Sequence, residues 1–112
     1  MNLRFRKYCT DILSSIDAIA IHLAQAPDLG AYRNNITVRR AVERELEIIG
    51  EAMNQLLTEF PETVITDSRR VIGLRNRIIH GYADVDDTLV WSIVHVNVPK
   101  LSEEVALLME QH

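Results

Sequence analysis

Apolar residues recur along this chain at intervals of three and four. Tyr8, Ile12, Ile16, Ile19 and Leu23 follow that spacing, which puts them on one face of a helix and predicts a first helix over about 3–25. Pro27 and Gly30 break it. Val38, Val42, Leu46, Ile49, Met53, Leu56 and Phe60 resume the pattern. They predict a second helix over about 35–59, with Asn35 as its cap and Pro61 beyond its end. Thr66 or Asp67 can cap a third helix, about 67–80, whose apolar side carries Val71, Leu74 and Ile78; Gly81 is its natural stop. Asp84 or Asp86 can cap a fourth that carries Leu89, Ile93 and Val94. Pro99 kinks or restarts that helix, and Leu101, Val105 and Leu108 continue the stripe. The β-branched run from Val90 to Val98 has no second strand to pair with, so it too reads as helix. The expected fold is all-α: an antiparallel bundle of four to five helices with a kink at Pro99, in one domain spanning residues 1–112.

At 112 residues, 47% hydrophobic and 25% charged, the composition is that of a globular domain and excludes a disordered chain. No apolar run approaches the roughly 18 residues of a membrane span. Asp11 and Asp17 interrupt the only candidate signal segment, so a cytoplasmic protein is expected. Cys9 stands alone, which excludes an intrachain disulfide and a cysteine-built zinc site. The net charge of −4 argues against a protein that coats DNA. Charge is nonetheless unevenly placed. Residues 69–80 hold Arg69, Arg70, Arg75 and Arg77 with no acid, whereas residues 81–112 hold six acids against Lys100 alone. A focused basic site of that kind can attract a phosphate.

One arginine violates the pattern. With Val71 at 0° and 100° per residue, the apolar sector of the third helix centres near 20° and Arg75 falls at about 40°, inside it, while Arg69, Arg70 and Arg77 fall on the polar side. A guanidinium there needs a carboxylate, a phosphate or water. The same arithmetic puts Glu45 inside the apolar sector of the second helix, and Glu43, Glu47 and Glu51 outside it. Arg75 therefore either forms a buried pair with Glu45 or lines a cleft and binds phosphate, and the two can coexist. His80 lies about 140° around from Arg75 and roughly 7.5 Å along, so one intact helix does not aim both at one atom. Asn76 and His80 share a face. Tyr82 falls in the loop after Gly81, where it either covers the bundle end or offers its hydroxyl to a ligand or a modification. Asp84, Asp86 and Asp87 suit helix capping better than a metal, and Glu47 and Glu51 suit a solvated face. His22 and His95 gain no role, Trp91 reads as core or interface, and Cys9 lacks a nucleophile's surroundings.

The stretch Arg75-Asn76-Arg77-Ile78-Ile79-His80-Gly81-Tyr82 resembles the R-x4-H-x-Y motif of the HepT toxins of the HEPN ribonuclease superfamily. Leu46-Glu47-Ile48-Ile49-Gly50-Glu51-Ala52 is similar to that family's second-helix signature. Ile72-Gly73-Leu74, Val85-Asp86 and Val98-Pro99-Lys100-Leu101 also fit, so the resemblance runs from about residue 8 to 108. It departs where the family often has Pro-Trp before the third helix; here Ile65-Thr66-Asp67-Ser68 stands. The resemblance implies a dimeric helical bundle with the motif of each chain facing a shared cleft, so that Arg75 and His80 meet from two chains. It implies the toxin of a type VII-like toxin–antitoxin pair: a metal-independent endoribonuclease, needing no cofactor, that cleaves RNA, tRNA included. His80 would be the general acid–base group, Arg75 would stabilise the phosphorane, and Asn76 and Arg77 would support them. The implied partner is an MNT-type nucleotidyltransferase antitoxin that adenylylates Tyr82 and so blocks the cleft. The other reading is a non-catalytic helical partner of that nucleotidyltransferase, which binds it and a nucleotide; the acidic net charge favours this one.

Overall fold

The computed structural model describes residues 2–81 and 85–111. Helix α1 (Leu3–Leu23) starts where Asn2 Oδ1 accepts the Arg4 and Phe5 amides at 2.9 and 3.1 Å. It buries Phe5, Tyr8, Cys9, Ile12 and Ile19. The sequence reads the Pro27–Gly30 stretch as a plain break, but a one-turn helix α2 (Leu29–Arg33) follows it. Two local features suffice for that turn. Asp28 Oδ1 accepts the Ala31 amide at 2.8 Å, and Tyr32 is fully buried as its anchor.

Helix α3 (Ile36–Glu59) begins as expected at Asn35, whose Oδ1 accepts the Val38 amide at 3.0 Å. It is the central element and packs against α1 on one flank and α4 (Ser68–His80) on the other. Its buried residues are Val38, Val42, Leu46, Ile49, Gly50, Ala52, Met53 and Leu56. An Arg4–Glu59 ion pair and a His22–Glu45 contact at 3.9 Å show that α1 and α3 run antiparallel. Phe5 and Phe60 meet edge to face at 5.1 Å across the same end.

Asp67 occupies the cap position of α4 but does not cap it. Its backbone is left-handed at φ 61°, and its Oδ2 instead accepts from Asn97 Nδ2 at 2.8 Å. Beside it, the Thr66 amide donates to Glu104 at 2.9 Å. Both contacts tie the start of α4 to the C-terminal segment. Gly81 ends α4 at φ 60°, as expected.

Helix α5 (Asp87–Ser92) is capped by Asp86 Oδ1; Asp84 lies outside the described residues. The chain then makes a π-turn (Ile93–Asn97) and continues as α6 (Val98–Gln111). The expected response to Pro99 is thus resolved upstream of it. Pro99 has no N–H to give an α-helical bond, and the Val98 amide reaches back five residues to the Ile93 carbonyl instead. The described residues contain no strand, and the all-α expectation holds.

Candidate active site

The site begins at a glycine. A Cβ built on Gly50 would stand 2.4 Å from Arg75 Cβ and 2.8 Å from its Cγ. The absence of a side chain at Gly50 is what lets α4 approach α3 this closely and seats the stem of Arg75 on the α3 backbone. The guanidinium then projects past Gly50 to the edge of the interface, where Nη2 donates to Glu51 and Nη1 donates to Asn76 Oδ1 at 2.7 Å. The Arg75 side chain is 20% exposed and that of Glu51 46%. Arg75 is therefore held at a surface and is not sealed in the core.

This corrects the pairing read from the helical wheel. Glu45 lies beside His22 of α1, and Glu51 takes Arg75. The wheel's apolar sector averages the flank of α3 that faces α1 with the flank that faces α4. The second flank is set by Gly50, a position that a count of large apolar residues passes over.

Arg75 lines a cleft of about 360 Å³ between α1, α3 and α4. Its three cations each face a carboxylate of the chain itself: Lys7 with Asp11 at 2.7 Å, Arg44 with Glu47 at 2.9 Å, and Arg75 with Glu51. Glu47 and Glu51 are thus spent on arginines, and no group of three His, Cys, Asp or Glu converges as metal ligands among the described residues.

His80 sits in the last turn of α4 and is exposed. Its Nδ1 lies 2.7 Å from the Asn76 carbonyl oxygen. A carbonyl only accepts, so Nδ1 carries a proton and Nε2 is the basic nitrogen of the neutral ring. Asn76 is the link between the two motif residues: its side chain holds Arg75 and its backbone holds His80. Because α4 stays helical through His80, the imidazole is not part of the wall that Arg75 forms; Ile79, 47% exposed, lies between. His80 is not among the residues that line the Arg75 cleft, in keeping with the offset of about 140° between the two along an unbroken helix. Arg77 is exposed on α4. Tyr82 lies outside the described residues.

The remaining candidates are structural. Trp91 packs on Tyr32 and His95, with centroids at 5.6 and 4.1 Å, and His95 Nδ1 donates to the Trp91 carbonyl at 2.8 Å. Burial pushes the Cys9 thiol up to about 11, so it is no nucleophile at neutral pH. No helix is long and apolar enough to cross a membrane among the described residues.

A second polar cluster escaped the sequence reading altogether. Tyr32, Arg39, Glu43 and Asp87 gather near the last turn of α4, from three separate segments of the chain. Only the tertiary fold joins them.

Comparison with known proteins identifies the family. The family model described as "Ribonuclease HepT-like" matches residues 11–108. A Methanocaldococcus jannaschii protein named "Putative RNase MJ1380" is 36% identical over 104 residues, covering 92% of this chain and 94% of its own. A second from that organism, "Putative RNase MJ0125", is 31% identical over 100 residues, 88% of this chain and 85% of its own. The "Probable ribonuclease HepT" of Thermococcus cleftensis is 37% identical over 65 residues, 54% of this chain and 56% of its own. No solved structure matches significantly. A match that spans the Gly50–Arg75 contact, the Asn76 link and His80 settles the family: this chain belongs to the HepT-like ribonucleases.

Proposed function

We propose that the chain is a metal-independent endoribonuclease whose working site is composite, with Arg75 of one protomer and His80 of a second at the same phosphate. The observation that carries this is the chain of contacts through Asn76, which fixes a guanidinium at a cleft edge and an imidazole with Nε2 as its working nitrogen. In this reading the 2′-hydroxyl attacks the adjacent phosphorus as the P–O5′ bond breaks. His80 handles the proton that leaves O2′ and ends on O5′, and Arg75 balances charge on the phosphorane. The products are a 2′,3′-cyclic phosphate and a 5′-hydroxyl. The exposed Ile79 beside His80 supports a protomer contact at this edge. We assign the chain to the toxin side of a toxin–antitoxin pair acting on RNA, tRNA included. Its partner is a nucleotidyltransferase that adenylylates Tyr82 and so sets anionic phosphates in competition with RNA. The test is cleavage of tRNA in EDTA with the product ends identified by mass. Cyclic-phosphate ends from wild type and none from His80→Ala are expected. Cleavage that survives in His80→Ala, or that requires added metal, refutes the reading.

A second reading has its own support: the chain is a non-catalytic, cytoplasmic partner of the nucleotidyltransferase. Every cation in the Arg75 cleft already faces a carboxylate, so that cleft holds no unpaired cation for an RNA phosphate. Intact RNA with wild type, together with a stable complex with the nucleotidyltransferase, decides for it.

A further inference from the structure

A second cleft, of about 410 Å³, opens where the last turn of α4 meets the start of α3 and α5. Arg39, Arg40 and Glu43 come from α3, Ile78 and Gly81 from the end of α4, and Asp87 from the start of α5. The two clefts follow one another along α3: Glu43 belongs to this one and Glu47, one turn on, to the Arg75 cleft. Ile78 and Gly81 here bracket His80 in sequence.

The cluster is incompletely paired. Arg39 Nη1 meets Asp87 Oδ2 at 3.4 Å, and Arg40 meets Glu43 at a loose 3.8 Å. Three buried atoms lack a hydrogen-bond partner: Arg39 Nε, Asp87 Oδ1 and the hydroxyl of Tyr32, itself fully buried. The phenol ends among the cleft's own charges, since burial first, then Glu43 and Asp87, raise its pKa while Arg39 lowers it. Burial likewise raises the Glu43 carboxyl, which is 13% exposed, above the ordinary range. Native proteins rarely leave this many buried donors and acceptors unmatched in one place.

The chemistry selects a class of ligand. Two carboxylates at the inner end repel a bare phosphate. Two arginines repel a cation. A neutral planar edge that carries both donors and acceptors satisfies them together, and the apolar Ile78 and Val85 offer walls for its faces. We infer that this cleft is a base-binding subsite that takes guanine in preference to the other bases. Guanine alone presents an acceptor (O6) beside two adjacent donor groups (N1–H and N2–H2), which is the complement of an arginine next to a carboxylate. Arg40, with its side chain 74% exposed, meets the nucleotide's phosphate at the rim. The inference rests on the ribonuclease reading for its substrate, and it places the base next to the phosphate that His80 serves.

The test has two arms. In the first, 15N-labelled protein is titrated with GMP, AMP, CMP and UMP, following the Arg39 Nε–H resonance. GMP is expected to move it saturably and most tightly. Glu43→Gln and Asp87→Asn are expected to weaken GMP about tenfold or more, as loss of a bidentate base contact does. Arg40→Ala is expected to weaken all four nucleotides alike, and thermal melts confirm that each variant folds. In the second arm, RNAs with a single guanosine are cleaved. Wild type cuts beside it, and Glu43→Gln loses that preference about tenfold while still cutting. Base-selective binding without cleavage upholds the subsite and sinks the nuclease reading. Cleavage with no guanine preference and a motionless Arg39 resonance overturns the subsite alone, as do equal shifts for all four bases.

Discussion

Replacing Gly50 with alanine tests whether this residue positions Arg75. The new Cβ would sit 2.4 Å from Arg75 Cβ, where ordinary contacts begin at 3.4 Å. Arg75 Cβ is fixed to the α4 backbone and cannot rotate away, so α4 itself must retreat by about 1 Å. Overpacking of this kind costs about 1–3 kcal/mol. Alanine returns about 1 kcal/mol through better helix propensity. The net is a loss of about 1 kcal/mol, a fall in Tm of about 4 °C for a chain of this size. Gly73 is the matched control: it is exposed, inside α4, and a Cβ there meets nothing within 4 Å. Gly73→Ala therefore gains about 1 kcal/mol and raises Tm by about 4 °C. Function separates the two further. A retreat of about 1 Å pulls the guanidinium from Glu51, and a misplacement of that size costs about a hundredfold in rate. Thermal unfolding and RNA cleavage are measured on both variants. If Gly50→Ala stabilises the protein as Gly73→Ala does, the close approach of α4 to α3 at this point is wrong.

Other substitutions probe other links. Asp67→Ala strands the 9% exposed Asn97 amide and should cost about 2 kcal/mol in urea unfolding, whereas Asp67→Asn keeps an acceptor and should stay close to wild type. Cys9 should resist iodoacetamide at pH 8 in the native protein and react at once in urea, because it is fully buried and its thiol is raised to about 11. Burial raises the Glu43 carboxyl above its ordinary 4.5, so the folded chain holds this proton more tightly than the unfolded one. Its contribution to stability is complete below about pH 4.5 and is lost as pH rises through the folded value. Denaturation of Glu43→Gln at pH 4 and pH 7 should accordingly show the variant gaining on wild type at the higher pH.

The helices were legible because each has a local signature: the three-four spacing of Tyr8 to Leu23 and of Val38 to Leu56, the Asn35 cap and the Gly81 stop. Arg75 was legible as an arginine inside an apolar sector. What escaped the sequence depends on contacts between elements. The wheel chose Glu45 for Arg75 because it registers direction around one helix and not where the next helix crosses, and that crossing is set by Gly50. A glycine in mid-helix, unfavourable by about 1 kcal/mol against alanine, was the available signal. Helix α2 was hidden because a one-turn helix has no periodicity; Asp28 and Tyr32 form it jointly. Asp67 reads as a cap from its side chain, yet its partner, Asn97, lies thirty residues on. The cluster of Tyr32, Arg39, Glu43 and Asp87 had no sequence signature at all.

The most direct test of the central claim is complementation between protomers. Arg75→Ala and His80→Ala proteins, each inactive alone, are mixed, allowed to exchange subunits, and assayed for RNA cleavage. If Arg75 and His80 act from different chains, half of the dimers are mixed and each holds one intact site, restoring about a quarter of wild-type activity. A mixture as inactive as its components, with subunit exchange confirmed by mass, would contradict the composite site.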